Sequence, residues 1–161
     1  MRIVLMLLAI LIGAPAAARQ TNEVPRCAAR QAVLTVTGQR VSHFCVEVAR
    51  TDAEQAQGLM FRKALAPNAG MIFPMNPPRF ASFWMKNTLI PLDIIFIRAD
   101  GQIARIAART TPLSLSPVTS GEPVAAVFEI AGGRAAQLAI AAGDRVTWVP
   151  ASRIARGRRA S

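Results

Sequence analysis

The chain has 161 residues, of which 52% are hydrophobic, and its 19 Lys and Arg residues outnumber 9 Asp and Glu residues. This length suits one domain, and the apolar fraction is enough for a buried core, which excludes a chain that is disordered throughout. Eleven Pro and ten Gly residues scattered without a period exclude collagen-like repeats and long coiled coils.

The N-terminus has the pattern of a secretory signal peptide. Arg2 supplies a short basic region, residues 3–12 form an unbroken apolar run, and small residues follow at 16–18. The ten apolar residues fall well short of the roughly 20 that a membrane-spanning helix needs. We therefore expect residues 1–18 to be removed, which leaves a periplasmic or secreted protein without a transmembrane segment.

Most of the excess positive charge lies in the two tails of the mature chain. Residues 31–150 hold eleven basic and eight acidic side chains. A nucleic-acid-binding protein is expected to carry basic residues interleaved with aromatic ones on a folded face. The nearly balanced body therefore argues against nucleic acid as a partner. The division that we predict is a lead-in over 19–30, a globular domain over 31–150 and a basic tail over 151–161.

The first predicted elements are a β-hairpin and a capped helix. Apolar residues alternate loosely with polar ones on both sides of a turn near Gly38, which predicts strands over 33–36 and 41–48. Thr51 and Glu54 have the spacing of a capping box, in which each side chain bonds the backbone N–H of the other residue. A short helix should therefore begin at this point and end soon afterwards.

The two cysteines of the chain, Cys27 and Cys45, are candidates for a disulfide. An exported protein folds in an oxidising compartment, where cysteine pairs become joined. The predicted hairpin places Cys45 on its second strand, so the chain before the first strand has to fold back for the sulfurs to meet. We expect the disulfide, and the alternative is a buried free Cys45.

Six further strands and a second helix are predicted after the first helix. Apolar runs bounded by turn residues place the strands near 70–75, 80–87, 92–98, 102–109, 124–130 and 145–149. An Ala-rich stretch predicts a helix over 133–140, and a stretch rich in Pro, Ser and Gly predicts a loop over 111–123. Together these elements predict a single mainly β (α+β) domain, whose antiparallel strands form a barrel- or sandwich-like sheet with two short helices.

Several sequence strings resemble one known protein family. The longest are FWMKNT at 83–88 and PLDIIF at 91–96, and shorter ones are GLMFR at 58–62, GMIF at 70–73 and GDRV at 143–146. Together they resemble the family called domain of unknown function 192, over about residues 40–149 of this chain. The resemblance implies a compact, mainly β domain that is often exported. It implies no activity, so the chemistry has to be argued from the residues themselves.

Motifs for catalysis and for metal binding are weak in this sequence. Nucleophilic catalysis needs a Ser, Cys or Thr beside a base, and the only histidine, His43, has no nucleophile-elbow sequence near it. His43, Cys45 and Cys27 lack the paired spacing that is typical of zinc sites. The pair Gly132-Gly133 lacks the rest of a phosphate-binding loop. We therefore expect no catalytic residue, no metal site and no cofactor.

The candidate site lies on the FWMKNT string. In a strand, Trp84 and Lys86 point to the same face and are neighbours, whereas Asn87 points to the other face. The chain has 17 Arg and only two Lys. A Lys inside an apolar strand therefore indicates a position that suits a compact ammonium group rather than a guanidinium fork.

A carboxylate near Lys86 would complete a binding site. The candidates are Asp93 at the start of the next strand, Glu54, Asp52 and Glu129. A Trp face, a Lys and a carboxylate on one concave wall suit an anionic or polyol ligand such as a sugar. We predict binding of a small ligand in the cell envelope, without catalysis, by Trp84, Lys86, Asn87, Asp93 and Glu54.

Three alternatives to this binding site stay open. In the first, Lys86 and a carboxylate form a structural ion pair, and Trp84 belongs to the core. In the second, the protein is an enzyme that uses Lys86 as a base or nucleophile, with Asp93 or Glu54 tuning it. In the third, the domain is an accessory module that binds another envelope protein.

We predict that the chain is cleaved after Ala18, because signal peptides are removed at small residues that follow a short apolar run. Intact-mass measurement of protein recovered from the periplasm or the medium should give the mass of residues 19–161. Membrane-bound protein that still carries residues 1–18 would contradict this prediction.

Overall fold

The structure is a computed structural model that describes residues 23–151 and residue 153. The predicted signal peptide, the start of the predicted lead-in and most of the basic tail lie outside the described residues. The described part forms a mainly β domain with two short helices, so the predicted fold class is confirmed. Its elements are β1 (Ala32–Thr37), β2 (Val41–Val48), α1 (Asp52–Gln57), β3 (Ala69–Phe83), β4 (Leu92–Ile97), β5 (Ile103–Ala107), β6 (Val118–Ala131), α2 (Arg134–Gln137) and β7 (Arg145–Pro150).

These strands form one curled sheet with the order β5-β4-β6-β3-β2-β1-β7. Only β2 and β3 pair in parallel, because the connection through α1 carries the chain back across the sheet. The two edges meet at one end. There the N–H of Ile103 donates to the carbonyl of Asp144, and the N–H of Val146 donates to that of Gly101, both at 2.8 Å. The sheet is therefore a half-barrel whose edges touch.

The sheet is buried on both of its faces. Every residue of β4 is buried, in agreement with its continuous apolar run. On one face Ile95 packs with Leu34 and Phe128, in what we call the first core. On the other face Ile94 and Phe96 belong to the second core, which also includes Leu59, Met71, Phe73, Met85 and Val127. Among residues 23–151, turns of the chain rather than a long helix cover the second core.

The long strands β3 and β6 differ from the prediction. The strands predicted over 70–75 and 80–87 are one strand, which ends at Phe83. The prediction of a loop over all of 111–123 is wrong, because β6 begins at Val118 and continues the pairing with β3. This end of β6 is a partly exposed ribbon that contains Pro123. Its composition therefore resembles that of a loop, and Pro is tolerated there because the ribbon lies outside the central sheet.

The predictions for the start of the domain are confirmed. β1 and β2 form the antiparallel hairpin. Thr51 caps α1 through its side chain, and the Glu54 carboxylate accepts the N–H of Thr51 at 2.9 Å, which completes the capping box. Cys27 and Cys45 are joined in a disulfide with 5.3 Å between their Cα atoms. The chain reaches Cys45 because a turn before β1 folds it back.

The first turn of α2 is hydrogen-bonded to the buried carboxylate of Asp93. Asp93 of β4 is fully buried, and its Oδ1 accepts the N–H groups of Arg109 and Gly133, each at 2.8 Å. Its Oδ2 accepts the N–H of Ala135, also at 2.8 Å. Gly133 has φ 85°, a left-handed conformation that glycine adopts readily. Asp93 thus ties β4 to the segment after β5 and to the first turn of α2.

No helix in the described part of the chain is both long and apolar enough to cross a membrane.

We predict that Asp93→Ala destabilises the domain severely. The substitution leaves the buried N–H groups of Gly133 and Ala135 without an acceptor, at a cost of about 1–3 kcal/mol for each group, and also removes the acceptor of the partly buried N–H of Arg109. Asp93→Asn should cost less, because its amide oxygen can still accept the two bonds that Oδ1 receives. The free energy of unfolding, measured with urea, should therefore fall in the order wild type, Asp93→Asn, Asp93→Ala. A loss below about 1 kcal/mol for Asp93→Ala would contradict this role.

Candidate functional site

A cleft of about 460 Å³ opens between α1, the turn after it and the outer end of β3. The second core forms its floor, and the ribbon of β3 forms one wall. Its lining mixes polar and apolar side chains and includes Gln55, Gln57, Met60, Arg79, Trp84 and Glu129. A concave site of this size and mixed character suits a small ligand.

The wall of the cleft on the β3 side is aromatic. Phe80 and Trp84 both line the cleft and are 68% and 51% exposed. Phe83 also lines it and packs edge-on against Phe73, with 5.1 Å between the ring centroids. Large aromatic side chains that remain exposed beside a concavity offer apolar faces on which a ligand can lie.

Trp84 and Lys86 are neighbours, as the sequence predicts. The Lys86 Nζ lies 5.1 Å from the centroid of the Trp84 ring, a cation-π distance. Both side chains are exposed. Neither of the two ion pairs in the described part of the chain involves Lys86. Lys86 stands at the rim next to the Trp84 wall and is not itself a lining residue.

Asn87 shapes the turn beside the cleft. Its backbone carbonyl accepts the N–H of Phe61 at 2.8 Å, and its Nδ2 lies 3.8 Å from the sulfur of Met60. Asn87 has φ 55°, and Asn is one of the residues that tolerate this left-handed conformation. The side chain thus holds Met60, a lining residue, in position.

The structure places Glu54 and Asp93 away from Lys86. The Glu54 carboxylate is occupied by the capping box and also accepts the N–H of Arg50 at 2.7 Å. The backbone N–H groups of Thr51 and Arg50 hold the pKa of the Glu54 carboxyl below its ordinary value of 4.5. Asp93 is enclosed by the three N–H groups described above. The structure therefore brings together Trp84, Lys86 and Asn87 and leaves the two predicted carboxylates elsewhere.

Glu129 is the carboxyl group that the structure places in the cleft. It is only 5% exposed, and it lies between Met71 and Ile94 on the neighbouring strands. Among the described residues it has no hydrogen-bond or ion-pair partner. Burial raises the pKa of the Glu129 carboxyl from 4.5 to about 8. At neutral pH the group is mainly protonated, and it can then both donate and accept a hydrogen bond.

Sequence reasoning considered Glu129 only as a counter-charge to Lys86. A signal was present, because Glu129 interrupts the apolar run VFEIA at a position that shares its sheet face with Val127. An acid at an inward position of a central strand is uncommon and is a candidate functional group.

The described residues contain no group of three or more His, Cys, Asp or Glu side chains placed to hold a metal ion.

Comparison with known proteins finds one matching family model and similar solved structures. The profile of DUF192, described as "Uncharacterized ACR", matches residues 32–148. A protein of unknown function from Novosphingobium aromaticivorans has a similar crystal structure, with 51% identity and a TM-score of 0.71 over 72% of this chain and 84% of that one. A candidate transcription regulator from Sinorhizobium meliloti is 38% identical, with a TM-score of 0.70 over 73% and 92% of the two chains. No curated protein matches.

We predict that the folded domain becomes less stable as the pH rises from about 5 to about 8. Glu129 ionises near its ordinary pKa in the unfolded chain, whereas the folded domain retains the proton up to a pKa of about 8. The unfolded state therefore binds fewer protons in this interval, and the Glu129 contribution falls by up to about 1.4 kcal/mol per pH unit.

Urea unfolding of wild type and Glu129→Gln across this pH range measures the effect. The glutamine keeps the shape and cannot ionise, so its variant should lack this part of the slope. Equal pH slopes in the two proteins would show that Glu129 titrates normally.

Proposed function

The chain belongs to the DUF192 family, and we propose that its domain binds a small polyol, such as a sugar or a sugar acid, in the cleft beside Trp84. The protein would act in the cell envelope and would bind this ligand without chemical conversion. The apolar N-terminal run and the disulfide support a place outside the cytoplasm.

The observation that carries this proposal is the carboxyl group of Glu129, which is 5% exposed and lines an aromatic-walled cleft without a described partner. Its raised pKa of about 8 favours the protonated form at neutral pH. The carboxyl group of Glu129 makes no hydrogen bond to a described residue and borders the cleft, so a ligand there can bond to it. Polyol hydroxyls donate and accept, as a protonated carboxyl does, so the two groups match. A neutral hydroxyl also needs no counter-charge inside the cleft.

The aromatic wall supplies the second half of the recognition. The C–H face of a sugar ring is apolar and can stack on the exposed rings of Trp84 and Phe80. The amide of Gln57 at the cleft lining offers hydrogen bonds to hydroxyls at the ring edge. A few polar groups that converge around apolar surface are the usual composition of a small-molecule site.

The rim of the cleft favours an anionic substituent over a cationic one. Arg79 lines the cleft, and Lys86 lies beside the Trp84 ring. A sugar acid could therefore place its carboxylate toward these cations while its hydroxyls reach Glu129.

Two of the three alternatives, the enzyme and the structural ion pair, have less support from the geometry. An enzyme that uses Lys86 as a base needs a tuning carboxylate, and both Asp93 and Glu54 are bonded to backbone N–H groups away from it. The hypothesis of a structural ion pair has no support, because no described acidic residue forms an ion pair with Lys86. Transcription regulation is the role named for the Sinorhizobium protein. Binding to nucleic acid would need a basic face with aromatic residues, whereas the basic and acidic side chains of residues 31–150 nearly balance.

We predict that sugars or sugar acids raise the melting temperature of the mature protein and change the fluorescence of Trp84. A ligand that binds only the folded state has to stabilise it. Trp148→Phe leaves Trp84 as the sole tryptophan, so the fluorescence reports the cleft alone. The panel should contain neutral hexoses and pentoses, linear polyols, and uronic and aldonic acids.

Trp84→Ala and Glu129→Met should each weaken binding of the selected compound by about tenfold or more, equivalent to ~1.4 kcal/mol. Glu129→Gln should retain binding, because its amide donates and accepts hydrogen bonds as the protonated carboxyl does. Leu115→Ala is the matched control, because Leu115 is 67% exposed and does not line the cleft. Lys86→Met should change the unfolding free energy by less than about 0.5 kcal/mol, as at other exposed positions, and should weaken binding only of acidic ligands. The absence of any ligand in the panel, or binding that survives Trp84→Ala, would refute the proposal.

A further inference from the structure

A connected group of turns next to the cleft exposes large apolar side chains. The described part of the chain has seven exposed large apolar residues, and two of them, Phe80 and Trp84, line the cleft. Of the other five, only Val41 lies on the hairpin, away from these turns. The remaining four, with the two lysines of the chain, form what we call the turn surface: Phe61, Lys63, Lys86, Leu89, Leu113 and Leu115.

Backbone hydrogen bonds join the turns into one unit. The N–H of Phe61 donates to the carbonyl of Asn87 at 2.8 Å, and the N–H of Leu113 donates to that of Thr88 at 3.1 Å. The N–H of Met85 donates to the carbonyl of Ser114 at 2.9 Å. Three segments that are distant in sequence are therefore adjacent, and hydrogen bonds hold their backbones together.

The backbone of this surface is unfavourable for the residues that it carries. Phe61 and Leu113 have φ of 63° and 61°, a left-handed conformation that bulky side chains rarely adopt. Both side chains are more than half exposed, so burial of their apolar surface in the free domain does not offset the cost of this backbone conformation. Conformations of this kind cluster at functional sites, where the surrounding structure holds them in place.

The charge around the turn surface is positive. The sequence has no acidic residue between Glu54 and Asp93, and none between Asp100 and Glu122. These stretches contain all three turns and both lysines of the chain, Lys63 and Lys86, whose side chains are exposed. The one carboxylate bonded to these turns, that of Glu47, is paired with Arg62 at 2.8 Å, and neither lysine is in an ion pair among the described residues. Apolar side chains with unpaired lysines among them complement a surface that is apolar inside and anionic at its boundary.

We infer that the turn surface docks the domain onto an anionic lipid bilayer, with Phe61, Leu89, Leu113 and Leu115 entering the boundary between headgroups and acyl chains. Peripheral proteins bind bilayers through this combination of apolar insertion and attraction of Lys or Arg to anionic lipid. Trp84 next to the turn surface is suited to the same boundary, where tryptophan is enriched. The opening of the cleft would then lie close to the membrane.

The bilayer is favoured over a protein partner by the shape of the surface. Its apolar side chains project from separate turns, whereas stable protein interfaces require packed, complementary surfaces around a buried centre. Apolar side chains on separate turns suit a lipid bilayer, because fluid lipid can pack around each side chain individually. This inference does not depend on the proposed polyol ligand.

Co-sedimentation of the mature full chain with vesicles tests the inference. Vesicles of phosphatidylcholine with about one quarter phosphatidylglycerol should bind the protein, and vesicles of phosphatidylcholine alone should bind it more weakly. Phe61→Asn combined with Leu113→Asn should lower partitioning into the anionic vesicles by about tenfold. Asn tolerates a left-handed conformation, so this double variant should fold at least as stably as wild type.

Two further variants separate insertion from general charge attraction. Lys63→Gln combined with Lys86→Gln should weaken binding and reduce its salt dependence. Arg40→Gln combined with Val41→Thr is the matched control, because it removes one exposed cation and one exposed apolar side chain at the hairpin turn. This control should bind as wild type does, since the arginines of the tails are the same in every variant.

Absence of binding to the anionic vesicles would overturn the inference. Equal binding by wild type and the Phe61→Asn, Leu113→Asn variant would also overturn it, since the tails would then account for all the attraction. Ligand binding by Trp84 and Glu129 should be unchanged in this variant, so a failure here is distinct from a failure of the cleft proposal.

Discussion

The need to cover both faces of one sheet determines most of this structure. Strand β4 is buried along its whole length, so neither face of the sheet can be left to water. Curling into a half-barrel, with α2 docked on Asp93, encloses the first core. Within the described part of the chain no long helix lies above the second core, and turns from three segments cover it instead. Backbone hydrogen bonds among these turns provide the order that a helix would otherwise supply.

This arrangement explains why the candidate functional groups lie where they do. Turns that cover a core leave a cleft more easily than a packed helix does, and the residues around that cleft are not constrained by a helical period. Glu129 belongs to a rigid central strand, whereas Trp84 and Lys86 lie just after a strand has ended. This arrangement suits a binding site, because Glu129 keeps the polar contact in place while the side chains of Trp84 and Lys86 can adjust to the ligand.

The sequence predicts features that depend on local chemistry better than features that depend on distant contacts. The hairpin, the capping box and the Cys27–Cys45 pair follow from alternation, from spacing and from cysteine count. The proximity of Trp84 to Lys86 was predicted from strand geometry, although the strand ends at Phe83 and a turn holds the pair. The hydrogen bonds of Asp93 could not be predicted from the sequence, because the backbone N–H groups that donate to its carboxylate belong to residues 16 to 42 positions away in the chain. The strand start at Val118 was missed because its pairing with β3, rather than its composition, defines it.

The contact between the two edges of the sheet has a consequence for behaviour at high protein concentration. Open sheet edges present unpaired N–H and C=O groups to which a strand from another molecule can add, and this addition is a common route to aggregation. Where β5 and β7 approach each other, main-chain groups of Gly101, Ile103 and Val146 are already bonded across the gap. Each edge thus shields the other at that end, and this contact discourages strand exchange between copies together with Arg105 and the irregular register of the edge strand β5.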